Sequence, residues 1–168
     1  MKTIGIYAGS FNPFHIGHYN ILQKAERMFD EVIIAVGNNP AKEQKGTFTI
    51  VNGSVEVITD RPSYEVIGDF LRNQTVEGYT GYLTDYVKEK MSEVDSDTKF
   101  VVIRGLRNGH DLDYEVNQLR VMEDLMGDEN LDVVFIPCDK EFEHVSSTMC
   151  RQMESIRRNT SLTYYPIV

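Results

Sequence analysis

The sequence has no tryptophan, only two cysteines, only five prolines and no long apolar run. Each shortage excludes something. A membrane span needs about 18 consecutive apolar residues, and nothing here approaches that, so membrane insertion is not expected. Cys138 and Cys150 cannot supply a disulfide scaffold, and no C-x-x-C pair or Cys/His cluster offers a four-ligand zinc site. Positive charge is scarce as well: 17 Lys+Arg face 26 Asp+Glu, a formal net charge of −9. That balance argues against a protein that coats nucleic acid or anionic membrane. It does not argue against a small anionic substrate, because a few cations focused in one cleft can hold phosphates.

What is present is ordinary for a soluble globular protein. The 168 residues, 41% hydrophobic and 26% charged, suit one domain over residues 1–168. Met1-Lys2-Thr3-Ile4-Gly5-Ile6-Tyr7 passes directly into a strand pattern without a leader-like apolar region, which reads as cytoplasmic.

The hydrophobic period changes repeatedly along the chain. Thr3–Tyr7 reads as a buried strand. Ile21, Leu22, Ala25, Met28 and Phe29 then form a helical stripe, and Val32–Val36 is a second buried strand. A β-α-β opening implies a right-handed crossover and a parallel sheet. Two β-rich runs, 47–51 and 54–58, are joined by Asn52-Gly53, a strong hairpin signal because a type I′ turn needs positive φ twice. Ser63 is expected to cap a helix from Tyr64 to Asn73. A weak strand at Val76–Tyr79, a helix at Leu83–Met91 and a strand at Phe100–Ile103 follow. A helix from Asp111 to Met126, a strand at Val133–Ile136 and a helix capped by Ser146 or Ser147 complete the pattern. Alternating strands and helices predict an α/β fold, a doubly wound parallel sheet with a β-hairpin inserted near residues 47–58.

Ligands of such sheets lie beyond the carboxyl ends of the strands, and four loops there are unusual. The first, Gly9 to His18, holds two histidines at a helix start, where free amides and the helix dipole attract phosphate; a plain capping histidine is the simpler alternative. The second, Asn38 to Lys42, brings one lysine after a strand. The third runs from Arg104 to Glu115. Its two arginines and glycines form a phosphate cradle on general grounds, or else pair with Asp111, Asp113 and Glu115. The fourth, Phe142 to Thr148, ends in hydroxyl residues that suit either phosphate or a simple N-cap.

Gly9-Ser10-Phe11-Asn12-Pro13 followed by His15-Ile16-Gly17-His18 resembles the H-x-G-H nucleotidyltransferases, whose motif binds ATP phosphates and stabilises AMP transfer. Arg104-Gly105-Leu106-Arg107, then Asp111 and Tyr114-Glu115, is similar to the most distinctive block of the pantetheine-phosphate adenylyltransferases. Lys42, 24 residues after His18, matches their spacing. The resemblance implies a Rossmann-like fold and transfer of AMP from ATP to 4′-phosphopantetheine, giving dephospho-CoA and pyrophosphate. It implies catalytic roles for His18, Ser10, Lys42 and Arg104, and acceptor contacts from Ser10, Lys42, Leu83 and Arg104. ATP would meet Ser10, Phe11, His15, His18, Gly105, Leu106, Arg107 and Glu115, together with Phe142, Glu143, His144, Val145, Ser146, Ser147 and Thr148. Magnesium is implied on the phosphates with no dedicated protein ligands, and the assembly implied is a homo-oligomer, commonly a hexamer.

The resemblance has departures. Ser146-Ser147-Thr148 with Arg151 is more similar to the pyridine-mononucleotide adenylyltransferases, so nicotinamide or nicotinate mononucleotide is the alternative acceptor. The Phe-Thr/Ser-x-x-Glu-Arg helix start of the pantetheine enzymes is missing after Lys42, where the hairpin seats itself instead. A regulatory nucleotide-binding module without turnover is the alternative from another class. Lys90-Met91-Ser92 is similar to a class I aminoacyl-tRNA synthetase loop, but it ends a mid-chain helix and is set aside.

Overall fold

Burial on both faces turns the short apolar runs into strands of one parallel sheet. The computed structural model describes residues 1–38 and 46–168. Along it run β1 (Lys2–Gly9), α1 (Ile16–Glu26), β2 (Glu31–Asn38), the hairpin β3 (Thr47–Val51) and β4 (Ser54–Ile58), and α2 (Ser63–Phe70). Then come β5 (Thr75–Thr80), α3 (Leu83–Ser92), β6 (Thr98–Leu106), α4 (Gly109–Met126), β7 (Asp132–Pro137) and α5 (Ser147–Ile156). The main sheet has five strands in the order β5-β2-β1-β6-β7, every pairing parallel. The order turns back between β1 and β6, the switch point where such folds open a crevice.

The core lies in two layers. Tyr7, Ile34, Val36 and Ile103 pack with Ile21, Leu22 and Ala25 of α1 and Ile67 of α2. Ile6, Ala8, Ala35 and Val102 face the other way, against Tyr86 and Val87 of α3 and Met126 of α4. Ile6, Ile34, Val102 and Ile103 are fully buried, and each such side chain contributes roughly 1.5–3 kcal/mol relative to an exposed one. The expected doubly wound α/β sheet is thus present.

The hairpin forms as predicted: Asn52 and Gly53 carry φ of 51° and 79°, and Val51 pairs with Ser54. Ser63 differs from expectation. Pro62 occupies the N-cap position of α2 and no side chain caps that end. The Ser63 hydroxyl instead meets the Thr47 hydroxyl at 2.7 Å, tying α2 to β3. α2 also stops at Phe70, short of Asn73. The α1 helix is shorter than the spacing of its stripe predicts: it ends at Glu26, and Met28 is exposed.

Candidate active site

The carboxyl ends of β1, β2, β5 and β6 open onto two adjoining cavities that share Gly9, Ser10 and Arg104. One, of about 320 Å³, lies over α1 and reaches Phe11, His15, His18, Gly105 to Arg107, Glu115 and Ser146 to Thr148. The other, of about 460 Å³, lies over β2 and β5, between Gly37, Asn38, Tyr79, Gly81 and Tyr82.

The two histidines cap α1 in a reciprocal way. His15 Nδ1 accepts from the amides of Gly17 (3.1 Å) and His18 (3.4 Å), while His18 Nδ1 accepts from the His15 amide at 3.1 Å. This is a capping box built from imidazoles. The H-x-G-H spacing follows from it, since the N-cap and the third helical residue must face each other. The amides of Gly17 and His18 are therefore not free for phosphate, contrary to expectation. The donor passes instead to Nε2–H, because a ring whose Nδ1 accepts carries its single proton on Nε2.

The rings stack with centroids 3.6 Å apart. Burial, with Arg107 nearby, pushes His15 down to about 3; burial, then His15, then Arg107 hold His18 well below the ordinary histidine range. Both are neutral donors at physiological pH. Phe11 and Phe14 pack on His18 at 4.9 and 5.4 Å between centroids. Phe11 does so with φ of 48°, a strained value for an aromatic residue, held by its buried ring.

Of the two sequence readings of the arginine block, the ion-pair network is present, with Glu115 and Asp111 as the partners. Arg104 donates through Nε and Nη2 to the two oxygens of Glu115 (2.8 and 3.0 Å) and through Nη1 to the Ala8 carbonyl (3.0 Å). Its guanidinium still has N–H groups left over, at the junction of the two cavities. Arg107 is gripped by Asp111 through Nε and Nη2, and Asn108 caps α4 beneath it. Gly105 is required by close approach: a Cβ there would stand 2.5 Å from Ile21 Cδ1 and 3.2 Å from the Tyr7 hydroxyl.

Of the last loop, Ser146, Ser147 and Thr148 line the first cavity. Ser146 caps α5 by accepting from the Met149 amide, and the Ser147 hydroxyl donates to the Pro13 carbonyl. Phe142 packs on the core, Val145 is fully buried, His144 rests edge-on against Tyr164 and Glu143 is exposed; none of the four lines either cavity. Leu83 opens α3 and packs beside Tyr86 and Val87, next to Tyr82 of the second cavity. Lys42 lies outside the described residues. Sequence reasoning missed Tyr79, Tyr82 and Gly37. All three lie at or just beyond the ends of β2 and β5, a position that gains its meaning once the sheet order places those strands side by side; a Cβ on Gly37 would sit 2.9 Å from the Tyr79 hydroxyl.

Residues 6–153 match the cytidylyltransferase-like family model. The phosphopantetheine adenylyltransferase of Brucella anthropi is 35% identical over 154 residues, covering 92% of this chain and 86% of the relative. That of Clostridium novyi is 35% identical over 150 residues, covering 89% and 82%. In fold, the chain is similar to a bifunctional NMN adenylyltransferase/ADP ribose pyrophosphatase from Francisella tularensis, solved with AMP and a manganese ion. There the TM-score is 0.60 at 16% identity, covering 98% of this chain and 44% of that one.

Proposed function

This chain belongs to the cytidylyltransferase-like family and within it to the phosphopantetheine adenylyltransferases, and from that membership we propose how its cleft works. It transfers AMP from ATP to 4′-phosphopantetheine. An oxygen of the acceptor phosphate attacks the α-phosphorus of ATP and forms the new P–O bond. The bond from that phosphorus to the bridging oxygen breaks, and pyrophosphate leaves with the electron pair. A phosphate is already a nucleophile at neutral pH, so no side-chain base is needed, and catalysis falls to positioning and charge stabilisation.

The observation that carries the mechanism is the reciprocal imidazole cap. It delivers two neutral Nε2–H donors, fixed by backbone, to the wall of the nucleotide cavity. His18, braced by Phe11 and Phe14, is the donor to the α-phosphate in the transition state. His15 and Ser10 shape the same pocket. Arg104 stands at the junction and meets both substrates, and Arg107, with the first turn of α5, serves the triphosphate. Glu115 acts through Arg104, since both of its oxygens are engaged there. Tyr79 and Tyr82 wall the acceptor arm with Leu83 behind them, and Lys42 holds the acceptor phosphate as the resemblance implies.

Magnesium enters with the substrate as MgATP. The resemblance implies that it is carried on phosphate oxygens and water, while Glu115 and Asp111 are bound by arginines. The reading includes a homo-oligomer, hexameric by resemblance; exposed Leu112, Val121 and Leu125 on α4 give it apolar surface to cover. It also sets the reaction in the cytoplasm, where the buried thiols of Cys138 and Cys150 stay free. Among the described residues no helix is long and apolar enough to cross a membrane.

The features that favoured a pyridine mononucleotide have another use here. Ser147 and Arg151 donate to the carbonyls of Pro13 and Asn12, so they hold the histidine loop. Mass analysis of the product from MgATP and 4′-phosphopantetheine tests the reading: dephospho-CoA supports it, and recovery of unreacted acceptor contradicts it.

A further inference from the structure

Asn12 lies between Ser10 and His15, and its carboxamide is used at both ends. Nδ2 donates to the Gly46 carbonyl at 2.9 Å, and Oδ1 accepts from the Phe48 amide at 2.8 Å. One side chain thus pairs with the start of β3 much as a neighbouring strand would. The loop's backbone is tied on its other side to α5, by Arg151 on the Asn12 carbonyl and the Ser147 hydroxyl on the Pro13 carbonyl.

The hairpin that receives Asn12 is itself anchored. Thr47 meets Ser63 of α2, the Val55 amide donates to Asn159 Oδ1 at 2.9 Å, and Arg158 pairs with Glu56. None of its residues lines either cavity of the cleft. Asn12 joins it to the histidine loop. From there the path to the chemistry is short, because the adjacent Phe11 packs edge-on against the His18 ring.

We propose that Asn12 is a positioning residue for AMP transfer, whose carboxamide braces the histidine loop against the β3–β4 hairpin and so sets His15 and His18. This rests on the reading of the cleft given above. The role needs an amide. Alanine leaves the Phe48 N–H and the Gly46 carbonyl without partners; aspartate still accepts from Phe48 but turns a carboxylate oxygen toward the Gly46 carbonyl.

The test compares wild type with Asn12→Ala by steady-state kinetics and by ¹⁵N NMR of the histidine ring nitrogens. Displacing a preorganised group by a fraction of an ångström to an ångström costs up to about 100-fold in rate, so kcat should fall about 10- to 100-fold. KM for MgATP and for the acceptor should stay within about threefold, as for a contact felt in the transition state. The Nδ1 and Nε2 signals of His15 and His18 should shift while those of His110 and His144 do not. Wild-type kcat with unmoved ring signals would overturn the proposal. So would a raised KM with intact kcat, which would mean that Asn12 touches a substrate directly. Should Asn12→Ala not fold, Asn12→Asp is judged by the same criteria. If the wild type turns over no acceptor, the functional reading fails, while the ring signals still decide whether Asn12 sets the histidines.

Discussion

The arginine at the junction of the two cavities makes a quantitative prediction through its partner. Glu115→Gln keeps the shape of the side chain but leaves one oxygen to accept and turns an NH₂ group toward the guanidinium. Arg104 then loses one of its two bonds to Glu115, at 2.8 and 3.0 Å, and keeps the one to the Ala8 carbonyl. Breaking a buried pair costs about 3–5 kcal/mol. The Arg104 side chain is 23% exposed and that of Glu115 10%, which favours the lower end, about 3 kcal/mol. At about 2.1 cal/mol/K per residue of unfolding entropy, a chain of 168 residues loses about 3 °C per kcal/mol. Thermal melts followed by circular dichroism should therefore show Tm lower by about 9 °C. Steady-state kinetics should show kcat/KM reduced for ATP and acceptor alike, because Arg104 borders both cavities. A Tm within about 2 °C of wild type, under 1 kcal/mol on the same scale, together with unchanged kinetics would refute the reasoning.

Other predictions concern the histidines. His18→Ala should keep the fold and lose about 10²- to 10³-fold in kcat, the effect of removing one preorganised donor, as measured by pyrophosphate release; near wild-type turnover would remove His18 from the mechanism. Acidification should destabilise the protein early. His15 is held down to about 3 by burial and then Arg107, whereas in the unfolded chain it binds a proton below about pH 6.5. The unfolded state gains protons first, so stability present above that pH is lost as pH falls toward about 3, at about 1.4 kcal/mol per pH unit. His18 acts in the same direction. Carboxylates held low by their partners, such as Asp111 and Asp139, contribute only closer to about pH 4. Urea unfolding between about pH 7 and 5 should therefore isolate the histidines. His15→Asn, which keeps a capping acceptor, should flatten that slope; an unchanged slope would contradict the assignment.

How far the sequence led depends on which interactions are local. The β-α-β opening, the Asn52-Gly53 turn and the Ser146 cap each rest on a few neighbouring residues, and all three stand in the structure. The histidine pair was also legible as a motif. The capping alternative is the one the structure bears out, since the rings themselves accept the amides that the phosphate reading takes as free. Ser63 is the opposite case: a residue with a strong local capping preference found a distant partner in Thr47. Tyr79 and Tyr82 escaped notice because aromatic residues at a strand end look like core until the sheet order is known. On α4, Leu112, Val116, Leu119, Met122 and Met126 stand at helical spacing, yet of these five only Met126 is buried.

The central claim is the identity of the acceptor. Pyrophosphate release from MgATP, with 4′-phosphopantetheine and nicotinamide mononucleotide offered in parallel, tests it most directly. The account predicts turnover with 4′-phosphopantetheine and none above background with the mononucleotide. Turnover with the mononucleotide alone would contradict it and return Ser147 and Arg151 to the acceptor site.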